Sequence, residues 1–524
     1  MGQTGSQLRK RNSGIRLYST ISYFLAPIGG MAKLKNIIKQ LSDKDYQAVY
    51  DSLISGNAEK SAYLLKAMRE RQLSESKVMV ELEVNANAYY TMRSRLSQKI
   101  EEYLIQQMES PRTDLLRKVA NINEVFFTNK KTIAIATLRK LEKELIEADL
   151  VHELPTIYKL LKKLHLHSPE YFQFSQLYNR HVAYMLAVDK AEDVLADYFK
   201  KYGNYYLTAD QTEKLSLDLL VREIQSIANL YESHRLYVYK SCMMVFHRLF
   251  VEGEENVNSE EESIEDVFGR VQDIFDRYNL DPVYYHLNLL FEFLKLEYYN
   301  HYKVFKQAER YYEEVSDAAS NLLVNYPYYT FSIRFLISKL ERALRMGTEG
   351  ELHAEQKEML ADFEPDPNNI PQHVIYSVYN ALCSYYAGRY EESAKLLNTL
   401  INEVSLKKYP LAQTEIKALL CLQYCMLKDI DLFNQLSNSV QRNIRILGKD
   451  ACENVLLFLK ILKIAVSEAK REKDKKISAL IPKLKGLTVG YFSPTSYIRM
   501  DDKFVDRLIA LEIQSGGPWN DDDD

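Results

Sequence analysis

A chain of 524 residues, 46% hydrophobic and 27% charged, has the composition of an ordinary globular protein with ample material for a core. Its formal net charge of −4 excludes a chain built as a whole to coat nucleic acid or an acidic membrane. Glycine (17) and proline (13) are scarce, which argues against a many-stranded fold with frequent turns and for long helices.

The first 30 residues differ from the rest. Arg9, Lys10, Arg11 and Arg16 have no acidic counterpart, and Gly, Ser and Thr are frequent. Residues 1–30 are therefore expected to form a disordered leader, or to lie upstream of a natural start at Met31. Residues 31–110 should form a small N-terminal helical domain. Ser42 precedes a helix with Asp45 three positions later, the pattern of a capping box. Within this domain Ser74–Val84 predicts a short helix, Asn85-Ala86-Asn87 a turn, and Ala88–Met108 a longer helix. That outline faintly resembles a helix-turn-helix, with Arg93, Arg95 and Lys99 as the phosphate-facing candidates. Against it, Glu83 occupies the turn and the segment 31–110 carries twelve Lys+Arg against eleven Asp+Glu. A DNA-binding domain is usually more basic.

Residues 111–363 predict helix after helix. Ser110-Pro111, Ser168-Pro169 and Asp281-Pro282 each place a capping side chain before a proline suited to the first helical turn. Hairpins are expected over 112–150, 154–186, 188–203 and 210–250. An acidic loop at 252–266 should be a solvated connection. The prolines within 364–371 predict a break in the array.

From Ile370 to Leu447 the pattern is clearest. Val374, Val378, Ala381, Leu382 and Tyr385 share a helical face, Ala387-Gly388-Arg389 breaks the chain, and Ala394, Leu397, Leu400 and Ile401 form the next face. Residues 416–427 and 432–446 repeat the plan. The run from Ala381 to Ala394 resembles the core of a tetratricopeptide repeat, which places small residues on both helices of a hairpin around a Gly-x-Tyr turn. Two departures stand out: Ser393 replaces the preferred Ala, and Asp429-Ile430-Asp431 replaces Gly-x-Tyr in the following unit. The resemblance implies an all-α fold, a helical-hairpin repeat solenoid over 372–486. First helices line the groove in that family, so Asn380, Tyr385, Lys417 and Gln423 are the partner-binding candidates it implies. Residues 487–514 should cap the array, with Leu487–Tyr497 as its strand-like piece. Ser515–Asp524 is expected to be a disordered acidic tail carrying Trp519.

The glycines stand singly or in lone pairs and build no Gly-rich phosphate loop, and neither Gly-x-Ser-x-Gly nor His-Glu-x-x-His occurs. Cys421 and Cys425 share a helix face without a second pair to complete a zinc site. The expectation is a non-enzymatic scaffold or adaptor that holds a protein or peptide partner, with no metal and no cofactor. The alternative is a DNA-binding regulator using 74–108. No apolar run reaches about 18 residues, so no membrane insertion is expected. Five cysteines in apolar helical runs suggest buried thiols in a reducing, cytoplasmic setting.

Overall fold

The computed structural model describes residues 34–511 apart from 35–37, 39–40, 42, 57, 72–74, 83, 85–88, 90–91, 94, 97–98, 101–102, 104–110, 129, 151, 232, 253–261, 279–281, 361–362, 468–469 and 488. The expected leader and tail, most of the acidic loop and the turn Asn85-Ala86-Asn87 lie outside the described residues. Among the described residues there is no strand. The described residues of the piece expected as strand-like at 487–497 form an irregular connection closed by a 3-10 turn at Pro494–Tyr497. Its apolar and aromatic residues meet helices, not a neighbouring strand, and side-chain burial alone explains them.

The chain divides into two units, Met1–Val125 and Phe126–Asp524. In the first, α1 (Asp43–Ser55), α2 (Glu59–Lys66) and α3 (Glu75–Glu81) bury Leu53, Leu64, Leu65 and Val78. Arg69 ties the preceding chain to them, donating from Nη1 to the carbonyls of Ile38 (3.1 Å) and Leu41 (2.8 Å). Then come α4 (Pro111–Ala120) and α5 (Ile122–Thr128), and the division falls inside α5.

The second unit begins with α6 (Lys131–Glu147) and α7 (Leu154–Leu164) and continues into α8 (Glu170–Thr208), a single helix of 39 residues. The expected separate hairpins at 154–186 and 188–203 are thus corrected. No proline or glycine interrupts Ala187-Val188, and Val188, Leu195, Tyr198, Phe199 and Tyr202 give the second half of α8 a buried face. Such packing, more than propensity, sustains a long helix. Next follow α9 (Gln211–Leu230), α10 (His234–Phe250), α11 (Ile264–Arg277), α12 (Pro282–His301), α13 (Phe305–Asp317), α14 (Ala319–Asn325), α15 (Arg334–Met346) and α16 (Leu352–Met359). Asp210, Ser233 and Ser263 cap α9, α10 and α11 by accepting the backbone N–H of Thr212, Leu236 and Asp266. A buried ion pair joins α12 to α15: Arg334 Nε donates to Glu297 Oε2 at 2.7 Å while its guanidinium lies 3.9 Å from the Phe250 ring centroid.

After the expected break, α17 (Ile370–Tyr386) and α18 (Tyr390–Glu403) form a hairpin whose turn residue Gly388 has φ of +74°. Only glycine adopts that conformation without steric cost. Ser393 explains its own departure from the repeat pattern. Its Oγ donates to the carbonyl of Ala381 at 2.8 Å, tying the two helices where they cross. The next hairpin, α19 (Pro410–Leu427) and α20 (Ile430–Leu447), turns without glycine. Lys428 takes φ of +61°, and Asp429 Oδ1 then accepts the N–H of Leu432 at 3.1 Å. The last helices are α21 (Glu453–Ser467), α22 (Lys470–Lys485) and α23 (Asp502–Ile509).

Consecutive helices pack on one another through most of this unit, an arrangement compatible with a helical repeat. The second half of α8 also packs on α17 and α19, so early and late helices share one core. At the α8–α17 crossing a Cβ on Gly203 would stand 3.0 Å from Pro371 Cβ and 3.1 Å from Phe331 Cε2.

Candidate functional site

The chain after α22 does more than cap the array. Residues 489–511 run as a strap over α8, α15, α17 and α19. Phe492 N–H donates to the Tyr206 carbonyl at 2.9 Å, which fixes the strap to the end of α8. Deeper in, Glu415 of α19 is fully buried and receives Ser493 Oγ at 2.8 Å, Thr495 Oγ1 at 2.7 Å and a hydrogen bond from Asn454 Nδ2. Burial pushes its carboxyl above the usual carboxylate range, and these donors oppose that shift. A charged group on a core face requires such partners. Glu415 is therefore the clasp of the strap.

Further along, the Tyr386 hydroxyl donates to the Tyr497 carbonyl at 2.5 Å and accepts the Arg499 N–H at 2.8 Å. These bonds hold Arg499 beside the turn between α15 and α16. A polar cleft of about 290 Å³ opens there. One wall is Gly347, Glu349 and Gly350, the floor is Tyr385 and Tyr386, and the other wall is Arg499, Asp501, Lys503 and Arg507. Gly347 ends α15 with φ of +78°, a left-handed conformation that glycine takes without steric cost. Asp501 caps α23 by accepting the Phe504 N–H at 2.9 Å, fixing the helix that carries Lys503 and Arg507 one turn apart.

The charges in the cleft are unequally matched. Arg499 engages both carboxylates, Glu349 Oε1 at 2.9 Å and Asp501 Oδ2 at 3.4 Å. Lys503 and Arg507 make no ion pair with any described residue, and both are exposed. Arg507 instead hydrogen-bonds Tyr390 and the backbone carbonyl of Lys503. The result is a concave polar surface with an aromatic floor and two exposed cations outside any ion pair among the described residues.

The sequence-derived candidates fall unevenly around this site. Tyr385 contributes to the floor but is 2% exposed, and Gln423 is 0% exposed with its Nε2 donating to the Leu419 carbonyl. Both are buried, because α17 and α19 are covered on more than one side. Asn380 and Lys417 are half-buried, and Lys417 Nζ donates to Ser439 Oγ at 3.2 Å on α20. These two and Gln423 lie outside the cleft. In the first unit Arg93 is half-buried while Arg95 and Lys99 are exposed.

Glu349, Arg499, Lys503 and Arg507 were missed by sequence reasoning. A partial signal existed, since Arg499, Lys503 and Arg507 recur every four residues along one amphipathic stretch. Glu349 lies 150 residues from Arg499 and carried none. The five cysteines are all buried and unbridged, and burial pushes the thiols of Cys383 and Cys425 up to about 12. Among the described residues no group of three or more His, Cys, Asp or Glu side chains could hold a metal ion, and no helix is long and apolar enough to cross a membrane. Comparison with protein-family models, curated proteins and solved structures finds no match to this chain.

Proposed function

We propose that this protein is a non-enzymatic adaptor, a tetratricopeptide-like helical repeat that holds a protein partner by an acidic segment. The observation that carries the reading is the cleft, where Lys503 and Arg507 stand without carboxylate partners beside a tyrosine floor. Two cations one helical turn apart suit two carboxylates of an extended peptide, which would form charge-assisted hydrogen bonds. A volume of about 290 Å³ admits a few side chains and not a folded element. The surrounding helices supply a rigid frame, since Glu415 and Tyr386 hold the strap at 493–495 and 497–499.

The test is fluorescence anisotropy of a labelled peptide of four glutamates against the full chain. Binding that weakens with salt and is lost in Lys503→Glu/Arg507→Glu supports the reading. Absence of binding at low salt, or equal binding by the charge-reversed variant, overturns it.

A further inference from the structure

The surface beside the cleft is apolar. Gly347 lines the cleft, and the residue before it, Met346 at the end of α15, is 59% exposed. The last turn of α15 lies against the start of α13. Arg342 Nε donates to both carboxylate oxygens of Glu309, at 2.8 and 2.9 Å, and the Arg345 guanidinium stands 4.0 Å from the Phe305 ring centroid. A tight turn joins α12 to α13 at this point: the Val304 N–H donates to the Tyr299 carbonyl at 2.8 Å, and Lys303 takes φ of +58°. The turn leaves Tyr302 56% exposed, with Val304 and Phe305 exposed beside it. Met346 and the apolar residues of the turn are thus brought together on either side of Arg345, where the cleft ends.

The charge around this patch is one-sided. Lys303, Lys306 and Arg345 are exposed and make no ion pair with any described residue. The nearby acids are engaged by other cations: Glu309 by Arg342, Glu349 by Arg499, and Glu341 has Arg334 as its leading charged neighbour. On the cleft side Lys503 and Arg507 stand outside any ion pair as well. Apolar side chains within a border of such cations suit a partner segment that is acidic and carries an apolar residue. A neutral apolar surface would leave the cations unmatched. A second copy of the same patch would bring like charges together.

We propose that the partner segment combines its carboxylates with an apolar anchor: the carboxylates meet Lys503 and Arg507 in the cleft, and an aliphatic or aromatic side chain nearby in the same segment seats on Phe305 and Met346. The anchor's contribution comes from apolar burial and resists salt, whereas the cation contacts weaken with it. This rests on the reading of the cleft as a partner site.

The test compares labelled peptides on the full chain by fluorescence anisotropy. One pair is four glutamates followed by Gly-Leu-Leu or by Gly-Ser-Ser, and a second pair has the order reversed. In at least one order the leucine peptide is expected to bind about tenfold more tightly than its serine counterpart, as partial burial of a leucine allows. That ratio should persist at raised salt while both affinities fall. It should collapse to about one in Met346→Ser/Phe305→Ser and remain in Ile446→Ser, which removes an exposed apolar side chain from α20. Far-ultraviolet circular dichroism reports whether each variant keeps its fold, and Met346→Ser alone, at an exposed helix end, reads the same ratio if the double variant does not. Equal binding of leucine and serine peptides in both orders overturns the inference and leaves the adaptor reading in place. So does a ratio that is unchanged in the folded Met346 variants. Self-association of the chain that is lost in Met346→Ser overturns it too, by showing that a second copy covers the patch. Absence of binding by all four peptides at low salt overturns the adaptor reading and the inference together.

Discussion

Replacing Gly203 by alanine tests whether α8 is held against α17 as closely as described. Two effects oppose each other. A glycine-to-alanine change in a helix interior gains about 1 kcal/mol from backbone entropy and propensity. Here the new Cβ would meet Pro371 Cβ at 3.0 Å, Phe331 Cε2 at 3.1 Å and Pro371 Cγ at 3.2 Å. Pro371 is a rigid ring in the first turn of α17, and Phe331 is 4% exposed, so neither neighbour can retreat alone. Overpacking of this kind costs about 1–3 kcal/mol. The net expectation for Gly203→Ala is a loss of about 1 kcal/mol, as the clash outweighs the helix gain. Gly269 is the internal control: it lies within α11, and a Cβ there meets nothing within 4 Å. Gly269→Ala should stabilise by about 0.5–1 kcal/mol. Urea denaturation followed by far-ultraviolet circular dichroism measures both. If both substitutions stabilise, the α8–α17 crossing is looser than described and the shared core is wrongly drawn.

Three further outcomes are expected. Ser393→Ala removes the bond to the Ala381 carbonyl and should cost about 0.5–1.5 kcal/mol by the same denaturation assay, despite restoring the residue the repeat family prefers. An unchanged midpoint would show that the hydroxyl contributes nothing. Glu415→Ala leaves Asn454, Ser493 and Thr495 with buried, unmet donors and should cost about 3 kcal/mol or more, with limited proteolysis cutting first within 487–500. Protection of that segment in the variant would refute the clasp. Glu314 concerns pH: burial, followed by the neighbouring Glu292 carboxylate, raises its carboxyl above the ordinary value. A raised carboxyl stabilises the fold below its unfolded value and loses that contribution as pH rises through the folded one. Glu314→Gln should therefore gain stability relative to wild type on going from acid to neutral pH. A difference in urea midpoint that does not vary with pH would contradict it.

Some of the molecule was legible in the residues alone. Apolar period and scarce glycine determined an all-helical chain, because a helix is fixed by neighbours three and four positions away. The turn at Gly388 and the opening of α17 by Asn369, Ile370 and Pro371 were readable for the same local reason. Lys428 was not, since a non-glycine left-handed turn leaves little mark on composition. The continuity of α8 beyond residue 188 was decided by burial of its second half, and the helix packs on α10, α17 and α19, partners up to about two hundred residues away. So was the fate of Tyr385 and Gln423: helical spacing places a residue on a face, but only packing decides whether that face meets solvent or another helix. The cleft is the extreme case. Its walls come from 347–350 and 499–507, and no spacing along the chain connects Glu349 to Arg499. Sequence set each helix and its charged stripe, while tertiary structure alone brought the two walls together, because that juxtaposition depends on the whole core between them.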